Sequence, residues 1–160
     1  MDWQITLCFY SALHLIKSHL AHNKVTARTH DDVSNFISNS QLVFAGIVGV
    51  PKDVQNAYTY LYKHSREARY LFPDGGDPDN DVAPPVFSDA DLIEAVRRLN
   101  SIMKFYQSKY GNTFKKTAVT LQAANQPSFD FFDFENGKPS VIPTHGPSVA
   151  TGGGTPELRR

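Results

Sequence analysis

The chain has 160 residues, of which 41% are apolar, and its 16 basic residues balance 16 acidic ones. This length and apolar content predict a single domain with one core. A chain without net charge has no general attraction to nucleic acid, so such binding would have to come from a local patch. The single cysteine, Cys8, excludes an internal disulfide and a cysteine-based zinc site.

The first residues carry no basic region ahead of an apolar stretch. No segment of the chain reaches the length of apolar sequence needed to cross a membrane. We therefore expect a cytoplasmic protein that does not insert into a membrane.

The first predicted helix runs from Asp2 to His22 and has two stripes at three-to-four-residue spacing. One stripe is apolar, and the second lies beside it. The first contains Ile5, Phe9, Ala12, Leu13, Ile16 and Leu20, and the second contains Trp3, Leu7, Tyr10, His14 and Lys17. Because two stripes need two covering surfaces, we expect a homodimer in which the second stripe meets another helix.

The second predicted helix begins at a capping box formed by Thr29 and Asp32, whose side chains can satisfy the first amides of the helix. Val33, Phe36 and Ile37 give it a short apolar face. The apolar run from Leu42 to Val50 is either an extension of this helix or a buried turn, because periodicity alone does not separate the two.

Pro51 interrupts the chain, and Asp53 is the predicted cap of the third helix. The core stripe of this helix follows a helical period and contains Val54, Ala57, Leu61, Ser65, Ala68 and Phe72. From Pro73 to Phe87 the prolines, glycines and aspartates predict an acidic loop.

The fourth helix has the clearest boundaries. Ser88 and Asp91 form another capping box, and Gly111 is placed to end the helix. Between them runs one apolar stripe, which contains Leu92, Ala95, Val96, Leu99, Ile102, Met103 and Tyr106.

The last part of the chain has a different pattern. Phe129-Asp130-Phe131 and Phe132-Asp133-Phe134 each alternate at the strand period, and Asn136-Gly137 is a favoured hairpin turn. These phenylalanines are too apolar to stay exposed, so we expect them to pack on the chain's own helices, on a dimer mate or on a separate protein partner. Beyond Ile142 the composition predicts a flexible tail.

Three short motifs resemble the HEPN (higher eukaryotes and prokaryotes nucleotide-binding) domain. They are Phe9-Tyr10-Ser11-Ala12-Leu13-His14 with Ala21 downstream, Thr29-His30 at the second helix, and Ser65-Arg66-Glu67-Ala68-Arg69-Tyr70 at the end of the third. The resemblance covers roughly Asp2 to Tyr110.

The resemblance implies a mainly α fold, an antiparallel four-helix bundle over residues 1–111 that commonly dimerises. Outside the resemblance, the pattern of the C-terminal residues predicts a short β-hairpin-like appendage over 112–142 and a flexible tail over 143–160. Many members of the family are metal-independent ribonucleases of toxin-antitoxin or antiviral systems, and others are inactive RNA-binding, nucleotide-binding or assembly modules. Here His64 precedes both arginines of the third helix, whereas active members generally carry a histidine after the arginine.

The candidate catalytic residues are Arg66, Arg69, His30 and His64, and the candidate RNA and phosphate contacts are Arg66, Arg69, Tyr70 and Tyr62. Metal-free RNA cleavage needs a base for the ribose 2′-hydroxyl and cations for the phosphorane, which histidine and arginine can supply. Tyr58, Tyr62, Arg66 and Tyr70 recur every four residues and could stack bases and hold phosphate. We expect no metal and no cofactor.

A structural interpretation of the same residues stays open. Lys63 and Glu67 can form an ordinary ion pair, and tyrosines often fill the rim of a bundle with their hydroxyls in water. The protein would then be a noncatalytic dimerisation or assembly module, which binds a larger protein partner through the Phe129–Phe134 segment.

Overall fold

The computed structural model describes residues 2–38, 49–70, 86–121 and 127–136. Within these ranges the chain forms helices α1 (Asp2–His22), α2 (His30–Ser38), α3 (Lys52–Tyr70) and α4 (Asp89–Tyr110), followed by strands β1 (Thr117–Leu121) and β2 (Phe132–Asn136). The predicted mainly helical class is confirmed. No helix in the described ranges is long and apolar enough to cross a membrane.

The core lies between α1, α3 and α4, which pack against one another, while α2 contacts α3. The first stripe of α1 is buried along its whole length, as its spacing predicts, and Phe9 at its centre is fully inaccessible to solvent. The second stripe leaves three large side chains in solvent, with Trp3, Leu7 and Tyr10 exposed by 76%, 62% and 36%.

Both predicted capping boxes form. The Thr29 hydroxyl accepts from the Asp32 amide at 3.0 Å, and the Asp32 carboxylate accepts from the Thr29 amide at 2.9 Å. Ser88 and Asp91 make the same reciprocal pair at the start of α4. At the other end of α4, Gly111 adopts the left-handed conformation with φ of 69°, and its amide donates to the Gln107 carbonyl. These local signals fix where α2 and α4 begin and where α4 ends.

The start of α3 differs from the prediction by one residue. The helix begins at Lys52, so Asp53 lies in its first turn instead of capping it, where its charge still favours the positive helix end. The predicted core stripe is buried from Val54 to Ala68, and Tyr58 is fully buried beside it. Phe72, the run at 42–48 and most of the predicted acidic loop lie outside the described residues.

The C-terminal strands form a parallel pair and not a hairpin. Thr117 pairs with Phe132 and Leu121 with Asn136, so the partner of β2 lies upstream of it in the chain. The predicted alternation of β2 holds, because Phe132 and Phe134 are buried whereas Asp133 is exposed. The turn motif at Asn136 and Gly137 predicts pairing with the residues that follow it, so it carries no information about a partner strand that precedes β2 in the chain. Gly137 and the predicted tail lie outside the described residues.

The phenylalanine-rich segment packs on the chain's own α4. The Phe131 amide donates to the buried Asn100 side chain at 3.4 Å, and the Phe131 ring lies 5.4 Å from that of Phe114. Lys104 of α4 pairs with Asp130 at 2.7 Å. Of the three sites considered for this segment, its own helices are therefore the one that the structure shows, and its buried rings are not available to a separate protein.

Candidate phosphate-contact site on helix α3

Helix α3 divides the predicted site residues between two faces. At about 100° per residue, Tyr62, Arg66, Arg69 and Tyr70 fall on one side of the helix, which we call the basic face. His64 falls about 200° from Tyr62, together with Tyr60 and Glu67, and we call this side the paired face. His64 therefore does not join the two arginines.

On the basic face, Arg69 is held by neutral groups. Its Nε donates to the Ser65 carbonyl at 3.1 Å, and its Nη1 donates to the Tyr10 hydroxyl of α1 at 3.0 Å. Its guanidinium carbon lies 5.6 Å from the centre of the Tyr10 ring and 5.3 Å from that of Tyr70. Among the described residues these contacts orient the guanidinium without neutralising it, so that its charge can act on an anion.

His30 reaches the same place from α2. Its ring packs 5.4 Å from Phe9 and 5.7 Å from Tyr62. Burial lowers the pKa of His30, and the charges of Arg69 and Lys17 lower it further, against a smaller opposite effect of Asp31. Its Nδ1 is buried and has no hydrogen-bond partner in the part of the chain that the structure describes. The lowered pKa favours the neutral imidazole at pH 7, in which one ring nitrogen is a proton acceptor.

The aromatic strip predicted along α3 is shorter than its spacing implies. Tyr58 is fully buried, and burial raises the pKa of its hydroxyl. From Tyr62 onwards the strip reaches the surface. The Arg66 guanidinium carbon lies 5.8 Å from the Tyr62 ring, and Tyr70 is 60% exposed. Tyr62, Arg66 and Tyr70 thus remain candidates for contact with a ligand, whereas Tyr58 belongs to the core.

On the paired face, His64 Nδ1 lies 2.8 Å from the buried carboxylate of Glu67. Lys63 adds a longer contact to Glu67 at 3.9 Å, as its spacing predicts. The rings of His64 and Tyr60 are 4.1 Å apart. These contacts give His64 a structural partner and place it away from the basic face.

The paired face continues onto α4. Arg98 lies 5.2 Å from the centre of the Tyr60 ring and donates to Glu94 at 2.7 Å. Burial and the charge of Glu94 raise the pKa of Tyr60. Among the described residues, Lys63 and Arg98 each lie beside a carboxylate, and the contact of Arg98 with Tyr60 joins α4 to α3.

Sequence reasoning missed the contribution of α1 to the basic face. Tyr10 supplies a hydroxyl to Arg69, Phe9 supports the ring of His30, and Lys17 adds positive charge near it. Tyr10 and Lys17 belong to the second stripe of α1, but no local pattern could pair Tyr10 with an arginine 59 residues away.

The basic face can therefore do two kinds of chemistry. Arg69 and Arg66 can hold phosphate oxygens, with Tyr62 and Tyr70 offering ring faces for bases. His30 is a neutral proton acceptor beside a cation, which is an arrangement suited to general base catalysis at a phosphate ester.

Comparisons of the chain with protein-family models, with curated proteins and with solved structures found no match.

Proposed function

We propose that this chain is an RNA- or nucleotide-associated protein of a bacterial-type defence or toxin-antitoxin system, and that the basic face of α3 contacts phosphate. One observation carries the proposal. Three elements converge there, because α1 supplies Tyr10, α2 supplies His30 and α3 supplies Arg69. A cation oriented by neutral groups beside a neutral imidazole is suited to a phosphodiester.

If the site cleaves RNA, it does so without a metal ion. His30 takes the proton of a ribose 2′-hydroxyl, and the 2′-oxygen forms a bond to phosphorus. Arg69 and Arg66 stabilise the negative phosphorane. The bond to the 5′-oxygen then breaks, and that oxygen takes a proton from water. The products are a 2′,3′-cyclic phosphate and a 5′-hydroxyl end.

The finer fold assignment, a HEPN-like antiparallel four-helix bundle, is part of the same proposal. It is supported by the packing of α1, α3 and α4 around one core with α2 against α3. The motif positions agree with it, since His30 opens α2 and Arg69 with Tyr70 closes α3.

The proposal is tested by incubating the protein with a mixed panel of cellular RNAs in EDTA, with cleavage and binding both measured. The test variants are His30→Gln and the double variant Arg66→Ala, Arg69→Ala. Two matched controls come from outside the basic face. Arg97→Ala removes an exposed arginine that pairs with Glu94, and His64→Gln removes the histidine of the paired face.

We expect the arginine double variant to lose RNA binding and cleavage, and both controls to keep them. Circular dichroism must show that each variant is folded. His30→Gln separates the two roles, because loss of cleavage with retained binding identifies the base. Binding that falls only in the arginine variant, without cleavage by any protein, identifies a noncatalytic RNA contact. Unchanged binding and cleavage in the arginine variant would contradict the assignment of the RNA contact to the basic face.

A noncatalytic assembly module is the second candidate, and the exposed stripe of α1 favours it. Trp3 and Leu7 lie more than half in solvent, and Tyr10 lies one turn beyond them. Large apolar side chains grouped in this way are typical of an interface. A second copy of the chain, packed along this stripe, would cover them and give a homodimer.

Sedimentation velocity tests this candidate. Leu7→Asp places a charge in the centre of the stripe, and we expect it to dissociate a dimer because a buried unpaired charge is costly. The matched control Asn56→Asp adds the same charge at an exposed position on α3. A parent protein that sediments as a monomer across a wide concentration range contradicts the dimer.

A further inference from the structure

A cavity of about 600 Å³ lies between α1, α4 and the strand pair, apart from the basic face of α3. Its walls are mainly apolar. They include Leu7 and Leu15 of α1, Val96 and Met103 of α4, Val119 of β1 and Phe132 of β2. Leu7, Ser11 and His14 are exposed, so the cavity opens to solvent along α1.

The volume and the walls suit a small molecule. Binding sites for small ligands commonly measure about 300–1,000 Å³ and are mainly apolar with a few polar groups. Water filling this cavity would number about 20 molecules, at roughly 30 Å³ each. Water against apolar walls makes few hydrogen bonds, so an apolar ligand gains by displacing it.

One polar group in the wall has unused capacity. The hydroxyls of Ser18 and Tyr106 lie 2.6 Å apart, and either one could be the donor. Their mutual hydrogen bond uses one of two hydroxyl hydrogens, so the other can donate to a further acceptor. Both residues line the cavity, and Tyr106 is buried.

The charge of the walls restricts the ligand further. Among the described residues that line the cavity there is no Asp, Glu, Lys or Arg, and His14 is the only ionisable group besides the thiol and the phenol. A strongly charged molecule would lose hydration there without a partner charge. A molecule that fits these walls therefore carries no strong charge.

We propose that this cavity is a binding site for a small lipophilic molecule, one or two rings in size, that carries a neutral hydrogen-bond acceptor such as a ketone or an ester. The apolar body of the ligand contacts Leu15, Val96 and Met103. The acceptor receives a hydrogen bond from the Ser18 and Tyr106 hydroxyl pair. This site is independent of RNA contact at the basic face.

The experiment uses two probes of nearly equal shape, 2-acetylnaphthalene and 2-ethylnaphthalene, which differ in a carbonyl group. Binding is followed by the ¹³C methyl resonances of the two methionines, Met1 and Met103. Met103 lines the cavity, and its resonance is identified with a Met103→Leu variant. We expect both probes to shift it, and the ketone to bind about tenfold more tightly, which corresponds to one hydrogen bond.

Two variants test the location and the polar contact. Ser11→Trp fills the mouth of the cavity from an exposed position and should weaken both probes at least about tenfold. Its control, Ser108→Trp, adds the same bulk at an exposed position of α4 that does not line the cavity. The double variant Ser18→Ala, Tyr106→Phe should bind the two probes equally.

Three results overturn the proposal. They are a Met103 resonance that neither probe shifts, undiminished binding in Ser11→Trp, and equal affinity of the parent protein for the ketone and the hydrocarbon. Because the hydrocarbon reports on the cavity without the hydroxyl pair, a double variant that still binds it is folded, and its response to the ketone can be interpreted.

Discussion

The two faces of α3 carry similar side chains but differ in what surrounds the charges. On the paired face, Glu67 lies 2.8 Å from His64, and Glu94 lies 2.7 Å from Arg98. On the basic face, Arg69 contacts a carbonyl, a hydroxyl and two rings. The charge of Arg98 is offset by a carboxylate, whereas that of Arg69 is not offset by the described groups that hold it, which is why we propose Arg69 as the phosphate contact. Whether an arginine on these faces is a structural contact or a candidate phosphate contact therefore depends more on its partners than on its residue type.

The largest expected effect is on the core beneath the basic face. Phe9 is fully buried and lies 5.4–5.9 Å from the rings of His30, Tyr62 and Tyr58. Phe9→Ala should lower the free energy of unfolding by about 3–5 kcal/mol, because it removes a large ring and leaves a cavity. Phe87→Ala, which truncates a half-buried ring beside His64, should cost less. Urea unfolding followed by circular dichroism measures the free energy of unfolding of both variants. An equal loss in the two would contradict the expectation that the core beneath the basic face is packed more tightly than the ring beside the paired face.

The capping boxes give the next largest effect. Ser88→Ala should lower the free energy of unfolding by about 1 kcal/mol, since it leaves a first-turn amide of α4 without its acceptor. Thr29→Ala removes the corresponding cap of α2 and should also shift the NMR resonances of His30, the next residue. Ser88→Ala should leave those resonances in place. A shift of His30 in both variants would show that the two faces are coupled.

The pKa of His30 is a more specific measure of the basic face. Arg69→Ala removes a nearby positive charge and should raise this pKa, whereas Asp31→Asn removes a negative one and should lower it. Arg98→Ala, on the paired face, should leave it unchanged. NMR titration of the imidazole measures each variant, and a response to Arg98→Ala but not to Arg69→Ala contradicts the placement of His30.

The lowered pKa of His30 also makes the free energy of unfolding depend on pH. The pKa of His30 in the folded protein lies below its ordinary value of 6.5. The unfolded chain therefore binds the proton first, and stability falls as the pH drops from 6.5 through the lower pKa of the folded state. His30→Gln should make the unfolding free energy less dependent on pH in this window.

The smallest effect is expected at the edge of the paired face. Lys63 is 54% exposed at its side chain, and its ammonium lies 3.9 Å from Glu67. Lys63→Ala should change the free energy of unfolding by less than about 0.5 kcal/mol, because water screens such a pair. A loss above this would indicate that Lys63 contributes to the buried contact between Glu67 and His64.

The sequence predicts those parts of the fold that depend on nearby residues. The bounds of α1, both capping boxes and the turn at Gly111 follow from residues within a few positions of one another, and the structure has them. The parallel pairing of β1 and β2 does not follow in this way. Thr117 and Phe132 meet through the tertiary fold, and the local turn signal at Asn136 favours a different partner.

The candidate site was predictable in part. The helical period alone separates His64 from Arg66 and Arg69, and Glu67 three residues on is a plain partner for it. By contrast, His30 meets Tyr62 and Arg69 only because α2 packs against α3, and Tyr10 reaches Arg69 across the interface of α1 and α3. Contacts between helices depend on the packing angle, which residue spacing within one helix does not determine.

Because Cys8 is the only cysteine, the rate at which its thiol is alkylated reports local opening of the folded chain. Cys8 is buried in α1, lines the cavity beside α4, and burial raises the pKa of its thiol to about 12. At pH 7 roughly one thiol in 100,000 is then a reactive thiolate. Alkylation is therefore slow although the sulfur lines the cavity, and it becomes faster when α1 separates from α4 and the thiolate is fully hydrated. Its rate would report how often these helices part in a molecule that is otherwise folded.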